Sequence, residues 1–167
     1  ARGYLVMVPD LSAEYTFGYG EPLFGERSLQ IIEAHLEALA GSTGFGTDLS
    51  GVVDLSRLVI ASHSRGGPLS VLYATDDRAN YDVSALAMLT PAYISDDVVI
   101  PPAMPTALVM AECDGDVGIP APMIYVDEQL AIPRSAITML YTLPGGTHNA
   151  FSSRLGPDIG SPCGDTA

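Results

Sequence analysis

LVIASHSRGG, residues 58–67, joins a continuous apolar segment to a turn made of small residues. A short apolar run of this kind is typical of a strand buried on both faces of a parallel sheet. In the turn, Ser64 is flanked two positions away by Ser62 and Gly66. A serine nucleophile on a tight strand-to-helix turn needs small residues there, because its own backbone is strained and larger neighbours would clash. The segment therefore predicts a strand, a nucleophile turn at Ser64 and a helix over residues 69–74.

Gly67 and Arg65, which follow Ser64 in this turn, also have predicted roles. Gly67 removes a side chain where the helix must pack close to the strand. The backbone N–H of Arg65 is expected at the helix N-terminus, where it can donate a hydrogen bond to an oxyanion.

The remainder of the chain alternates between strand-like and helix-like segments. Apolar residues at helical spacing predict a helix over residues 29–39 that ends at Gly41, and residues 122–130 can form another. This order predicts an α/β fold, a three-layer α/β/α arrangement with a mostly parallel sheet, formed by residues 1–167 as a single domain. Besides residues 58–61, the predicted strands are residues 4–8, 83–89, 107–111 and 137–141.

Three reactive residue types fall directly after predicted strands. Ser64, Asp114 and His148 follow the second, fourth and fifth of them, and in parallel sheets such groups collect beyond the carboxyl ends of the strands. A serine hydroxyl needs a base, and the order serine, acid, histidine favours His148 for that role. His63 remains an alternative base whose ring is expected to leave the turn in another direction, and His35 is expected on the solvated face of a helix.

Two carboxylates compete for the position of the acid. Asp114 comes first after its strand, and Val117 can anchor the loop, so Asp114 is preferred. Asp116 stays open as the alternative acid.

Composition excludes some classes of partner. The formal net charge is −13 and all seven basic residues are arginine, so the chain would repel a phosphate backbone and nucleic-acid binding is not expected. The apolar runs are too short for a transmembrane segment.

The chain has two cysteines. Cys113 and Cys163 form no CxxC pair, which disfavours a zinc site. They could form a disulfide in a secreted enzyme or be reduced thiols in the cytosol.

These motifs together resemble the α/β-hydrolase superfamily, and more narrowly its secreted esterase, lipase and cutinase-like members. The resemblance lies in the turn at residues 63–67, the strand end at 89–91, the acid turn at 113–117 and the histidine loop at 146–151. It implies a serine hydrolase that cleaves small-molecule, lipid or polyester esters with a Ser64–His148–Asp114 triad and with no cofactor or metal. It also implies a substrate pocket near Thr90, Pro91 and Tyr93, although packing is an equal expectation for Tyr93.

Residues 2–10 resemble the strand that follows the oxyanion loop and the first helix in this superfamily. The fold is therefore expected to be N-terminally truncated, with a complementing N-terminal segment as a possible partner. Secretion is the expected location, and a cytoplasmic location is the alternative. The rival functions are a peptidase, thioesterase or dienelactone hydrolase on the same fold, and a non-catalytic hydrolase-like module.

Overall fold

The computed structural model describes residues 3–11, 26–93, 99–101, 103–117, 120–151 and 163. Two short 3-10 turns, Leu55–Arg57 and His148–Phe151, accompany the regular elements. The helices and strands, in chain order, are α1 (Glu26–Ala40), β1 (Leu58–His63), α2 (Gly66–Thr75), β2 (Val83–Leu89), β3 (Thr106–Ala111), α3 (Pro120–Ala131) and β4 (Thr138–Leu143).

The four strands form one sheet in the order β1-β2-β3-β4, and every neighbouring pair is parallel. The predicted parallel sheet is thereby confirmed, and four of the predicted strands lie within two residues of their observed bounds. Because all four strands run in the same direction, their carboxyl ends share one edge of the sheet. Ser64, Asp114 and His148 each follow a strand at that edge.

The hydrophobic core lies between one face of the sheet and two helices. Val71 of α2 and Tyr125 of α3 pack with Leu86 and Met88 of β2 and with Leu108 of β3. Each of these side chains is at most 2% exposed, and fully burying an aliphatic side chain of this size contributes about 1.5–3 kcal/mol. Of the predicted three layers, the described residues supply the sheet and a helical layer on this face.

Helix α1 is attached to α2 by packing and by a hydrogen bond. Its apolar side chains Leu36 and Leu39 are buried, as the helical spacing predicts. The hydroxyl of Tyr73 in α2 donates to the Glu33 carboxylate. Gly41 follows the last helical residue and donates its N–H to the carbonyl of Glu37.

The opposite face of the sheet is also apolar but is partly exposed. Strand register places Val59 of β1 and Met139 and Tyr141 of β4 on this face. Their exposed fractions are 54%, 62% and 60%. Within the described part of the chain, α2 and α3 both lie on the other side.

The expectation of a first strand at residues 4–8 is wrong for this structure. These residues form no strand, and Tyr4, Val6 and Val8 are each at least 80% exposed. The physical reason is that an extended apolar run becomes a strand only where a neighbour supplies a ladder of hydrogen bonds. Among the described strands, β1 lies at the edge of the sheet and pairs with β2 alone.

Among the described residues, no helix is both long enough and apolar enough to cross a membrane.

Candidate active site

Ser64 occupies a strained turn directly after β1. Its φ is +54°, a left-handed value that is uncommon for a residue with a side chain and costs on the order of 1–3 kcal/mol. Backbone hydrogen bonds hold the turn: the N–H of Ser64 donates to Leu89 O at 3.0 Å, and Ser64 O accepts from Gly67 and Ala92. The strain predicted for the nucleophile turn is therefore present, and the bonds tie the turn to the end of β2.

The start of α2 packs tightly against the chain that follows β2. A Cβ atom at Gly67 would lie 2.4 Å from Pro91 Cβ and 3.1 Å from Pro91 Cα, closer than any side chain can approach. Gly67 thus allows the close helix approach that the sequence predicts. A Cβ atom at Gly66 would meet Ser62 Cβ at 3.3 Å, which explains why small residues flank the serine.

Asp114 lies at the carboxyl end of β3 and is almost completely buried. Its Oδ1 accepts the backbone N–H groups of Asp116 at 3.0 Å and of Val117 at 2.9 Å. Burial alone raises the pKa of this carboxyl group. The hydrogen bonds from His148, Val117 and Asp116 outweigh the burial, so that the pKa of Asp114 is lowered below its usual value.

His148 opens the short turn after β4, and its side chain is 3% exposed. Its Nδ1 lies 2.8 Å from Asp114 Oδ2. A carboxylate can only accept, so Nδ1 carries the proton and donates it to this bond. The neutral imidazole then has its lone pair on Nε2, the form that a general base needs.

Two backbone contacts attach the histidine loop to the acid turn. The N–H of Cys113 donates to Gly146 O at 2.8 Å. The N–H of Gly145 donates to the Glu112 carboxylate at 2.9 Å. The segments that carry the acid and the base are therefore bonded to each other directly before Asp114 and shortly before His148.

Asp116 lies on the other side of the same imidazole. Its Oδ2 is 3.6 Å from His148 Nε2, and its side chain is 73% exposed. The geometry therefore favours Asp114, which holds Nδ1, over Asp116 as the orienting acid. The sequence left both carboxylates open because it does not show on which side of the ring each one lies.

The serine end of the expected triad is not joined to the base in this structure. Among the described residues, no hydrogen bond links Ser64 Oγ to His148, whereas the Asp114–His148 bond is formed. The structure thus brings Asp114 and His148 together, and the role of Ser64 stays a prediction.

The other predicted site residues surround the turn. Arg65 is the N-cap residue of α2, so its N–H lies at the helix N-terminus. Thr90 and Pro91 are fully buried, and Thr90 has a positive φ of 39°. Tyr93 donates its hydroxyl to Glu128 at 3.1 Å and packs edge-on against Tyr125. Packing and hydrogen-bond contacts account for Pro91 and Tyr93. The Thr90 hydroxyl is buried and has no hydrogen-bond partner among the described residues. The role of all three residues in a substrate pocket stays a prediction.

Comparison by sequence finds no matching family model and no matching curated protein. Comparison by structure does find similar proteins. Carboxylesterase Cest-2923 from Lactobacillus plantarum superposes with a TM-score of 0.60 at 16% identity, over 84% of this chain and 62% of that one. The alpha/beta hydrolase enzyme MGS-M1 from a Medee basin deep-sea metagenome library gives 0.55 at 16% identity, over 74% and 50%. This chain has the α/β-hydrolase fold.

The α/β-hydrolase-fold chain spans about half to three-fifths of the length of these solved structures. Esterase PE8 shows the same proportion, with a TM-score of 0.51, 14% identity and coverage of 74% of this chain and 53% of that one. Superpositions at identities this low show the fold alone, so the chemistry has to be argued from the site itself.

Sequence reasoning left one feature of this hydrolase-fold site open and missed another. Of the two states that the sequence left open for Cys113 and Cys163, the structure shows the disulfide, with the Cα atoms 5.3 Å apart; Cys113 directly precedes Asp114. His63 donates from Nε2 to the carbonyl of His148 at 2.9 Å, so its ring lies against the base. No signal in the sequence identifies either contact, because residues 50 and 85 positions apart meet only through the tertiary fold.

Proposed function

We propose that this chain belongs to a serine hydrolase that cleaves carboxylic esters, with Ser64 as nucleophile, His148 as base and Asp114 as the orienting acid. The observation that carries the proposal is the buried Asp114–His148 hydrogen bond of 2.8 Å at the same sheet edge as a serine with φ of +54°. Structural neighbours named as esterases support a general hydrolase role.

In the proposed reaction, Ser64 Oγ forms a bond to the ester carbonyl carbon while His148 Nε2 accepts the hydroxyl proton. The tetrahedral intermediate collapses as the carbon–oxygen bond to the alcohol breaks, and His148 gives its proton to the leaving alcohol. Water then attacks the acyl-enzyme, releases the acid and regenerates Ser64. Throughout, the carboxylate of Asp114 stabilises the charged imidazolium.

Negative charge develops on the carbonyl oxygen in both steps. The proposal assigns one hydrogen bond to this oxyanion to the backbone N–H of Arg65, at the N-terminus of α2. A helix N-terminus carries a partial positive charge, which favours an anion there.

The test of this function is covalent labelling of the intact chain with a fluorophosphonate, followed by mass spectrometry of the labelled peptide. The label is expected on Ser64, and Ser64→Ala is expected to abolish labelling and to lower kcat for p-nitrophenyl acetate by about 10⁶-fold. Ser50→Ala, at an exposed loop serine, is the matched control and should retain both. Labelling elsewhere, or activity that survives Ser64→Ala, contradicts the assignment.

One observation favours a second candidate, a non-catalytic hydrolase-like module. Within the described part of the chain, no hydrogen bond joins Ser64 Oγ to His148, whereas the Asp114–His148 bond is formed. A folded chain that neither hydrolyses p-nitrophenyl acetate nor reacts with the fluorophosphonate would support this candidate.

The bond that is cleaved is a separate part of the proposal. Peptidase, thioesterase and lactone-hydrolase activities share the same triad, and their specificity lies in the surrounding loops. We expect p-nitrophenyl esters to be cleaved with a higher kcat/KM than matched thioesters, lactones or anilides. If thioesters, lactones or anilides were cleaved with the higher kcat/KM, the assignment of Ser64 as nucleophile would stand and the proposed substrate class would be wrong.

We also propose that the protein works in an oxidising compartment, such as the outside of the cell. The Cys113–Cys163 disulfide supports this, because disulfides persist mainly in oxidising environments. Alkylation of the protein taken from its own host should find both thiols blocked and the protein in the medium. Recovery from the cytosol with two reactive thiols would contradict the proposal.

A further inference from the structure

His63 joins the nucleophile turn to the base. It is the last residue of β1 and directly precedes Ser64. Its Nε2 lies 2.9 Å from the backbone oxygen of His148. Since a carbonyl oxygen can only accept, the proton of this bond is carried by His63 Nε2.

The two rings are also in contact. Their centroids lie 4.6 Å apart with the planes inclined by 42°. The ring of Phe151 lies 5.9 Å from that of His63. His63 therefore contacts both the first and the last residue of the turn that carries the base.

This arrangement holds His148 at two places. The Asp114 carboxylate holds the imidazole ring through Nδ1, and His63 holds the backbone through the carbonyl oxygen. The ring bond sets the orientation and the tautomer. The backbone bond sets how far the residue lies from β1, and hence from Ser64.

That distance matters for the reaction. A proton passes from a hydroxyl to an imidazole only when the two atoms come within about 2.6–3.2 Å of each other. A displacement of about 1 Å can lower turnover by about 10²-fold. Because His63 and Ser64 are adjacent in the chain, a bond from His63 to His148 limits the separation of nucleophile and base.

We propose that His63 is a positioning residue that holds the backbone of His148 within proton-transfer range of Ser64. The proposal rests on the proposed function for its effect on turnover, but its effect on the position of His148 is independent of that function. His63 itself exchanges no proton with the substrate, and Asp114 retains the role of orienting the ring.

The kinetic test compares three variants at two histidines. His63→Leu removes the donor and retains an apolar side chain, and it is expected to lower kcat for p-nitrophenyl acetate by about 10–100-fold with KM within about 2-fold. His63→Gln places an amide N–H at a similar reach and is expected to recover kcat to within about 3-fold of the parent.

The matched control is His35→Leu. The ring of His35 also bonds a backbone carbonyl, from Nδ1 to Ile31 O at 2.7 Å, but it does so on α1. Its removal should leave kcat unchanged. A fall in kcat of the same size in His35→Leu would show that the loss at His63 reflects general destabilisation and would overturn the proposal.

A second measurement does not require activity. In the parent chain labelled with ¹⁵N-histidine, the Nδ1–H resonance of His148 should be protected from exchange with water, and it should remain so in His63→Gln. In His63→Leu it should broaden or exchange at least about 10-fold faster, because the loop that carries it has lost one attachment. Should His63→Leu fail to fold, His63→Asn takes its place, since the shorter amide cannot reach the carbonyl.

The outcomes separate the two proposals. Absence of hydrolysis and labelling in the parent chain would defeat the proposed function, whereas the resonance would still test the position of His148. An unchanged kcat and an unchanged resonance in His63→Leu would overturn the positioning role. A kcat in His63→Gln as low as that in His63→Leu would show that the hydrogen bond to the His148 carbonyl is not the basis of the positioning role.

Discussion

The two nitrogens of His148 face different surroundings, although a carboxylate lies near each of them. On the Nδ1 side, Asp114 is buried and hydrogen-bonded at 2.8 Å, and its second oxygen is occupied by two backbone N–H groups. On the Nε2 side, Asp116 is 3.6 Å away and largely exposed to water. An acidic residue two positions from another can therefore have a different function, because burial and bonding decide how strongly it acts on the ring.

The strongest challenge to this contrast is Asp114→Asn. The amide retains the shape of the side chain but can donate to Nδ1, which favours the wrong tautomer of His148. We expect kcat for p-nitrophenyl acetate to fall by about 10⁴-fold with the fold intact. Steady-state kinetics together with circular dichroism provides the measurement, and a loss of less than about 10-fold would mean that Asp114 is not the orienting acid.

The Asp114 side is further held by the disulfide at Cys113. The bond encloses a separation of 50 residues, and a link of that length typically contributes about 2–4 kcal/mol to the free energy of unfolding. The double variant Cys113→Ser, Cys163→Ser should lose stability by this amount in urea unfolding. Reduction of the disulfide in the parent should cause a loss of the same size. An unchanged urea midpoint in both the double variant and the reduced parent would show that the disulfide does not stabilise the acid turn.

The low pKa of Asp114 adds a pH dependence to the stability of this side. A carboxyl group whose pKa is depressed in the folded state contributes stability above its unfolded pKa, about 3.9, and loses it as pH falls through the lower folded value. The difference in unfolding free energy between the parent and Asp114→Asn should thus shrink as the pH falls below about 4. Urea titrations at several pH values below about 5 measure it, and a difference that grows over this acidic range would have the wrong sign.

The smallest effect is expected on the exposed side. Asp116→Asn removes a charge that is screened by water, so kcat should change by less than about 5-fold, which corresponds to about 1 kcal/mol. Asp127→Asn, at an exposed position of α3, is the control for the general effect of one negative charge. A loss at Asp116 as large as that at Asp114 would remove the contrast between the two sides.

Much of this site could be expected from local sequence. The apolar pattern predicts a strand over residues 83–89, and β2 has the same bounds. The positive φ of Ser64 and the close approach at Gly67 follow from the small residues around the turn. These features are local, because a strained turn and a helix start depend on side chains a few positions apart.

Two similar apolar runs show where local sequence is insufficient. Residues 58–61 form the first part of β1, whereas residues 4–8 form no strand and remain largely exposed. Both runs suit a strand, but only the first is paired, through its parallel ladder with β2. Strand formation depends on a partner elsewhere in the chain, so propensity does not decide it.

The amino-acid sequence alone determined the order of the elements from residue 26 onward, the turn at Ser64 and the residue types at the carboxyl edge of the sheet. Hydrophobic periodicity and backbone sterics act over a few residues, which makes them legible in a single chain. The tertiary structure decided which carboxylate holds Nδ1 of His148, that Cys113 bonds Cys163, and that His63 contacts the base. These contacts join residues 34 to 85 positions apart, and they exist only because the parallel strands bring their ends to one edge.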